Sequence, residues 1–531
     1  MFIKEKQTIV FKIKEILKDD LSSEDLEKLT IDFTLPKNHG DLSTNIAMKL
    51  SKQLSDNPVN IANKIAEKLT DIIIEKIEVA NPGFLNIFLS DKAFYNVLEN
   101  IEETDDYGKG EKNKKINIEY VSANPTGYLH IGHARNAVIG SSLSSLLRYA
   151  GYQVDEEFYI NDAGNQMKVL GQSVKARYLE ILGQDLKLPK DSYQGDDIKD
   201  AAQIIFNEIN KDEKSDDYFI DKSKNIFLKE IKKDLEFIGC FIPNYFSEKQ
   251  LYLNDNVKNI IKSLPNTYSK DGAFWLETTK FFDDKDRVLI KADGTFSYFA
   301  PDIAYHNNKI KRGYDFLINL WGSDHIGYKD RILSAIENMG YSKDKIDLIF
   351  MQNVRLVKDG KEFKMSKRNG TSYWLRDFIS LVGKDNARFY LIDASLNSGI
   401  DFDLDKIKEK TAENILYTIK YSFARANQLL EKSKTSTIQN NDNYSWDDKE
   451  KIIIKHLSNF PEIIELSSSS YKVNLLSVYV KDLTRMFNSY YTNSKIIGDN
   501  DEFYKIMIVK NFMKVIEIGM NILGISLPKK M

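Results

Sequence analysis

Apolar residues near the start of the chain fall twice at helical spacing. Ile9, Val10, Ile13, Ile16 and Leu17 make one stripe, and Pro58 followed by Ile61, Ala62, Ile65, Ala66 and Leu69 predicts a second amphipathic helix opened by proline. NPGFLNIFLS has the turn-then-alternation pattern of a strand. A polar stretch over residues 102–115 then ends this small mixed α+β unit, set at residues 1–105. From residue 116 short apolar strands alternate with helices, the pattern of a parallel sheet with crossover helices. KINIEYV leads through SANPTGYLHIGHA into a helix running to about Arg148, and VDEEFYIND is the next strand. FLINLW suits a strand buried on both faces and stops at Gly322-Ser323-Asp324-His325. In an open parallel sheet the carboxyl edge is the expected ligand crevice.

Residues 184–225 are highly charged and read as a helical surface insertion, within a larger inserted region spanning about 184–290. Past about residue 395 helical periodicity takes over. Leu416, Ile419 and Phe423, then Leu476, Val480, Leu483 and Phe487, then Ile506, Val509, Met513 and Ile516 predict three faces of a helical bundle. The polar run Glu431 to Glu450 and the serines 467–470 are expected to be loops. The fold class expected is α/β and multidomain: an N-terminal α+β domain over 1–105, a Rossmann-type parallel-sheet domain over 116–394, and a C-terminal all-α bundle over 395–531.

Length agrees with that modularity, since 531 residues exceed what one core ordinarily serves. With 42% apolar and 29% charged residues, disorder and collagen-like architectures are not expected. The 75 Lys and Arg against 78 Asp and Glu leave a charge of -3, which does not exclude a nucleic-acid partner because a basic face can be offset elsewhere. The single Cys240 makes neither an internal disulfide nor a Cys-rich zinc site, so a reducing, cytoplasmic setting is expected and Cys240 is read as a small buried hydrophobe. MFIKEKQTIVFKIKEIL is not a signal peptide, and no apolar run reaches the ~18 residues that cross a bilayer.

Candidate chemistry lies in two segments. His130-Ile131-Gly132-His133 follows a strand and a proline-containing turn and opens a helix, so two imidazoles on one face and unpaired backbone N–H groups meet the same space. Gly132 lets a base or phosphate approach the backbone. An isolated HxxH is more often two histidines that cap and pack a helix start, and zinc lacks a third ligand at a compatible spacing. The second segment runs from Lys358 to Gly370 and holds Lys364-Met365-Ser366-Lys367-Arg368; its five cationic residues suit a loop that closes over a triphosphate. Most lysine-rich runs are simply solvated. About 230 residues apart, on a parallel-sheet background, the two segments become specific together.

With these two segments the chain resembles the class I aminoacyl-tRNA synthetases, whose signatures are HIGH and KMSKS, here with Arg368 in place of the last serine. It resembles arginyl-tRNA synthetases in particular. HGDLSTNIAMKLSK (39–52) and NPGFLNIFLS (81–90) look like that family's N-terminal tRNA-binding domain. SANPTGYLHIGHARNAVIG, YINDAGNQ, YFAPDIAYHNNK, WGSDHIGY and DNARFYLIDAS look like its catalytic core and the junction to its anticodon-binding domain. AENILYTIKYSFAR (412–425) departs from the family at Ile415, Lys420, Ser422 and Phe423.

The resemblance implies activation of arginine by ATP and transfer to the terminal ribose of tRNA(Arg), by a monomer, with Mg²⁺ accompanying ATP and no zinc. It implies catalytic roles for His130, His133, Lys364 and Lys367, and an ATP site of His130, Gly132, His133, Asp324, His325, Met365, Ser366 and Lys367. It implies that Tyr298 and Asp302 recognise the guanidinium and that Ser122, Asn124 and Asn161 hold the α-amino and carboxylate end, with Glu157 a second acidic candidate. Read without the resemblance, Asp302 follows Pro301 and could simply cap the helix IAYHNNKIK. His306 is left outside the site as a surface or packed histidine. A catalytically silent RNA-binding paralogue, a class I enzyme of other specificity and a smaller nucleotidyltransferase are the alternatives; cysteinyl specificity is disfavoured because one cysteine cannot build that family's zinc site.

Overall fold

The computed structural model of the chain describes residues 2–531 except 35–39, 185–187, 189–190, 213, 363–373, 410, 412–413 and 434–443. The N-terminal unit packs helices around a three-stranded antiparallel sheet of β1 (Leu42–Thr44), β2 (Ile74–Ala80) and β3 (Phe84–Leu89), with β3 central. Both predicted helices are present, over Ile3–Leu17 and Pro58–Lys68. Their stripes are what they bury: Ile9, Ile13 and Leu17 from the first, Ile61, Ala62 and Ile65 from the second. The Asn57 side chain caps the second helix, and Pro58 occupies its first turn, where an N–H would lack a partner.

The middle of the chain contributes β4 (Lys115–Glu119), β5 (Gln153–Ile160) and β6 (Asn244–Ser247); then the small antiparallel sheet β7 (Thr267–Lys270), β8 (Ala273–Leu276) and β9 (Arg287–Ile290); then β10 (Phe316–Gly322) and β11 (Ile346–Met351). The main sheet is wholly parallel with order β11-β10-β4-β5-β6. Sequence order reverses direction between β4 and β10, so their carboxyl ends flank a crevice at that switch point. β10 is the FLINLW run, and Leu317, Ile318, Asn319 and Leu320 are all buried. The inserted region is helical in its first half, over Asp196–Ile209 and Asp216–Phe237, but its second half holds β6, which belongs to the main sheet, then helix Asn256–Ser263 and the β7–β9 sheet.

One face of the main sheet carries an unusual buried polar layer. Asn117, Glu119, Glu157 and Asn319 lie there beneath helix Phe299–Lys311. Buried carboxylates require partners. Lys309, itself 0% exposed, donates to Glu119 Oε2 and to Asn319 Oδ1 at 2.8 Å each. Arg312 grips Glu157 with both terminal nitrogens, at 2.5 and 2.8 Å, and the Tyr305 hydroxyl adds a bond at 2.6 Å. Burial pushes the Glu157 carboxyl up, yet Arg312 and Lys309 more than offset this and hold it below the usual range.

After β11 come β12 (Val354–Lys358), β13 (Lys361–Glu362) and, beyond two helices, β14 (Ile400–Asp403). β14 pairs with β12 in parallel, so strand structure continues past residue 395, where the pattern showed only helix. That strand is four residues long, too short to produce a detectable alternation. The C-terminal bundle comprises Ile415–Lys432, Asp448–Ser458, Phe460–Ser469, Asn474–Asn493 and Glu502–Ile522. The serines 467–470 correct the expectation of a loop: Ser467 and Ser468 are buried in the last turn of helix Phe460–Ser469, where Ser468 Oγ bonds back to the Glu465 carbonyl at 3.0 Å. The polar run from Glu431 likewise ends inside helix Asp448–Ser458, which Asp447 and Glu450 open with a capping box.

Candidate active site

The strand β4 ends at Glu119, and the chain turns sharply before helix Ile131–Tyr149. Val121 and Ser122 take the left-handed conformation there, at φ 68° and 40°, which a β-branched residue adopts only under constraint. The constraint comes from Asn136, whose Oδ1 accepts from Val121 N at 2.7 Å while its Nδ2 donates to the Leu320 carbonyl at the end of β10 at 3.0 Å. The helix itself is pulled tight against the sheet. A side chain at Gly140 would stand 2.3 Å from the Tyr120 ring.

His130 is the N-cap of this helix, and its imidazoles are ordered by backbone amides. Gly132 N donates to His130 Nδ1 at 3.1 Å, and His130 N donates to His133 Nδ1 at 3.3 Å. Both Nδ1 atoms are acceptors, so each neutral ring carries its proton on Nε2. The ring centroids are 3.9 Å apart. Burial and the neighbouring His130 push His133 down to about 3, and burial lowers His130 as well. The pair therefore offers two neutral N–H donors at physiological pH, not a positive charge. Gly132 is exposed and sits against His130: a Cβ would lie 2.7 Å from His130 Cε1.

The expected arginine-binding residues divide into three groups. Ser122 Oγ donates to Glu119 Oε1 and accepts from Tyr159 N, both at 3.0 Å. Asn124 is exposed and donates to Gln166, and Asn161 follows the end of β5. Asp302 does not cap its helix, which starts at Phe299 after Tyr298; its Oδ2 instead accepts from the Tyr328 hydroxyl at 2.7 Å. Tyr298 lies one turn before Asp302 and is 87% exposed. Glu157 is a correction: paired with Arg312, bonded by Tyr305 and only 1% exposed, its carboxylate is committed to the buried layer and not open to a substrate.

Around Asp302 the structure gathers groups that the sequence did not single out. Burial raises its carboxyl to about 7, the Tyr328 hydrogen bond opposes this, Glu248 and Glu119 reinforce it, and Arg331 opposes. Burial, reinforced by the charges of Glu248, Asp302 and Glu119, likewise holds the proton on the Tyr159 hydroxyl. Glu119 was legible in principle, as a carboxylate in the apolar strand KINIE; Glu248 and Tyr328 carry no such mark. Below Asp302, Lys309 fixes Asn319, Asn319 Nδ2 lies 3.1 Å from His306 Nε2, and His306 Nδ1 lies 2.7 Å from the Asp302 carbonyl. The buried lysine sets the amide orientation, so His306 accepts at Nε2 and donates at Nδ1. His306 is thus packed structure, as expected, and Cys240 is buried against the Tyr120 hydroxyl at 3.7 Å.

Asp324 and His325 occupy the exposed turn after β10, 3.4 Å apart. Lys364, Met365, Ser366 and Lys367 lie outside the described residues, but both flanks of their segment are placed. β13 ends at Glu362, and on the other side the Trp374 backbone bridges His130 while Leu375 N donates to the Leu129 carbonyl at 2.8 Å.

Three family models cover nearly the whole chain. The arginyl tRNA synthetase N-terminal domain matches residues 7–89, the class I (R) tRNA synthetase catalytic domain 96–391, and the DALR anticodon binding domain 419–531. The arginine–tRNA ligase of Mycoplasma mobile is 44% identical, covering 98% of each chain. The chain belongs to the arginyl-tRNA synthetase family. The arginine–tRNA ligase of Staphylococcus epidermidis is 38% identical over 99% of each chain. The arginyl-tRNA synthetase of Thermus thermophilus shares the fold, with a TM-score of 0.75 at 17% identity, covering 99% of this chain and 100% of that one. As the arginyl-tRNA synthetase resemblance implied, the parallel-sheet domain is the class I catalytic domain and the C-terminal bundle matches the DALR fold. Among the described residues no helix is long and apolar enough to cross a membrane.

Proposed function

We propose that the chain activates arginine with ATP to arginyl-adenylate and transfers it to the 3′-terminal adenosine of tRNA(Arg), as a cytoplasmic monomer. One observation carries the reading of the site: Trp374, the first described residue after the segment that holds Lys364 and Lys367, bridges His130. The residue that follows the segment in the chain is thus held at the start of the histidine helix, which supports the reading that ammonium groups and neutral Nε2–H donors act on one triphosphate. His130, Gly132 and His133 receive ATP together with Met365, Ser366 and Lys367, with Asp324 and His325 at the neighbouring strand end. Mg²⁺ travels with the ATP phosphates.

For the amino acid, Asp302 pairs with the guanidinium, and Tyr298 folds onto it from one turn earlier. Ser122, Asn124 and Asn161 take the α-amino and carboxylate end. Neither chemical step needs a covalent enzyme intermediate, so the protein's task is to position reactants and to stabilise charge moving onto pyrophosphate. ATP–pyrophosphate exchange run with each of the twenty amino acids, with and without tRNA(Arg), tests this. Arginine alone is expected to support exchange. Exchange with a different amino acid removes the arginine reading, and exchange with none leaves a silent RNA-binding protein.

Gly132→Ala is a sharp check on the histidine geometry. The added methyl must displace the His130 ring, because the contact at 2.7 Å is shorter than any real Cβ contact. Exchange is expected to fall by about tenfold to a hundredfold. Thermal stability should hold, since alanine favours a helix over glycine by up to ~1 kcal/mol. Full activity in this variant would show that the ring position observed is not the working one.

A further inference from the structure

We propose that Arg135 is a positioning residue for the activation step, fixing the joint between β12 and β14 relative to His130 and His133; the proposal rests on the activation reading above. Arg135 lies two residues after His133 and is 2% exposed. An arginine so deeply buried ordinarily carries a carboxylate. Among the described residues Arg135 has none, and its partners are all main-chain carbonyls. Nη1 donates to Gln352 and Ser398 at 2.8 Å each, and Nη2 to Ser395 at 2.7 Å and Ala394 at 3.5 Å.

Those carbonyls belong to two stretches that lie far apart in the chain. Gln352 lies between β11 and β12, and residues 394–398 lead into β14. The stretches are cross-linked beside the guanidinium, by Gln352 N to the Leu396 carbonyl at 3.2 Å and Ile400 N to the Asn353 carbonyl at 3.1 Å. From that joint β12 and β14 run in parallel, and β12 turns at Asp359-Gly360 into β13. β13 ends where the segment bearing Lys364 and Lys367 begins.

The neighbouring residue on the helix faces the opposite platform. Asn136 holds Val121 and Leu320, at the ends of β4 and β10, whereas Arg135 holds the joint under β12 and β14. Two consecutive residues thus set the spacing between the histidine-bearing helix start and the β12–β13 hairpin, whose last residue, Glu362, precedes Lys364 by two positions in the chain. A planar fork of donors suits this task, because it reaches several carbonyls in fixed directions; an ammonium on a flexible stem does not.

The variants are Arg135→Lys, which keeps the charge without the fork, and Arg135→Met, which removes both. For Arg135→Lys the rate of arginine-dependent ATP–pyrophosphate exchange should fall about tenfold to a hundredfold. The Michaelis constants of arginine and ATP should stay within about twofold, because positioning acts in the transition state. Deuterium uptake over 352–362 and 394–403 should rise, a readout that needs no substrate. The decisive comparison is with Lys367→Ala: if Arg135 acts through the lysines, the double variant is no slower than Lys367→Ala alone. Losses that multiply, or unchanged exchange and uptake in Arg135→Lys, overturn the proposal. Should Arg135→Met fail to fold, the lysine variant carries the test. A wild-type protein without arginine-dependent exchange sinks the activation reading instead, and unchanged uptake would still sink this one.

Discussion

Asp302→Asn is expected to abolish useful arginine activation while making the protein more stable. The guanidinium keeps its charge at every relevant pH, and pairing it with a neutral amide forfeits a buried charge-assisted contact, about 3–4 kcal/mol or ~10²–10³-fold in kcat/KM for arginine. Stability moves the other way. The Asp302 carboxyl is raised to about 7 from the usual 3.8, mainly by burial. Between those values the native state holds a proton that the unfolded chain has released, so stability is lost as pH rises through the window and the full cost stands above about pH 7. Asparagine has no proton to lose and can still accept from Tyr328. With solvent screening allowed for, the variant should gain about 1–2 kcal/mol at pH 8 and almost nothing near pH 4. The pair of measurements is exchange kinetics with arginine and a thermal melt at the two pH values. A variant with an unchanged arginine Michaelis constant removes Asp302 from recognition.

The same titration governs the wild-type pH profile. If Asp302 binds the guanidinium as proposed, the ionised carboxylate is required, and kcat/KM for arginine should fall about tenfold per pH unit below pH 7. The histidines cannot produce that limb, because His133 lies near 3 and His130 is lowered too. Asp302→Asn should erase the limb along with most of the activity.

Much of this was readable before any coordinates, and the reasons differ from element to element. The Pro58 helix, the FLINLW strand and the C-terminal helix faces each pair a burial pattern with a length that fits only one structure. What escaped was structure made by long-range partners. The four residues of β14 become a strand because β12 lies alongside, and Ser467 and Ser468 stay helical because their side chains are buried among other helices. Within the site, the signature segments were legible because several unusual residues sit close together in the chain. Glu157 was misread because its acidity was visible while Arg312, 155 residues away, was not. The groups around Asp302 come from three further places in the chain, Glu119, Glu248 and Tyr328, and no spacing connects them.

Lys367→Ala should show the second large effect, a fall in the activation rate of about 10²–10³-fold with little loss of ATP affinity. The argument starts from the histidines. Protonated imidazoles would themselves neutralise a triphosphate, and losing one lysine would then matter modestly. Both rings are neutral here, with backbone amides on Nδ1, so they give directed hydrogen bonds without charge. On the proposed assignment, positive charge for the departing pyrophosphate comes from the lysines and the metal that accompanies ATP. Because that charge is needed mostly as the bond to the α-phosphorus breaks, its removal acts on the transition state far more than on bound ATP. Single-turnover formation of adenylate, set beside equilibrium binding of a non-hydrolysable ATP analogue, separates the two. A variant whose analogue affinity collapses while its bound-state rate stays normal would mean that Lys367 holds ATP in the ground state, and the charge on pyrophosphate would then have to be met by Lys364 and Mg²⁺.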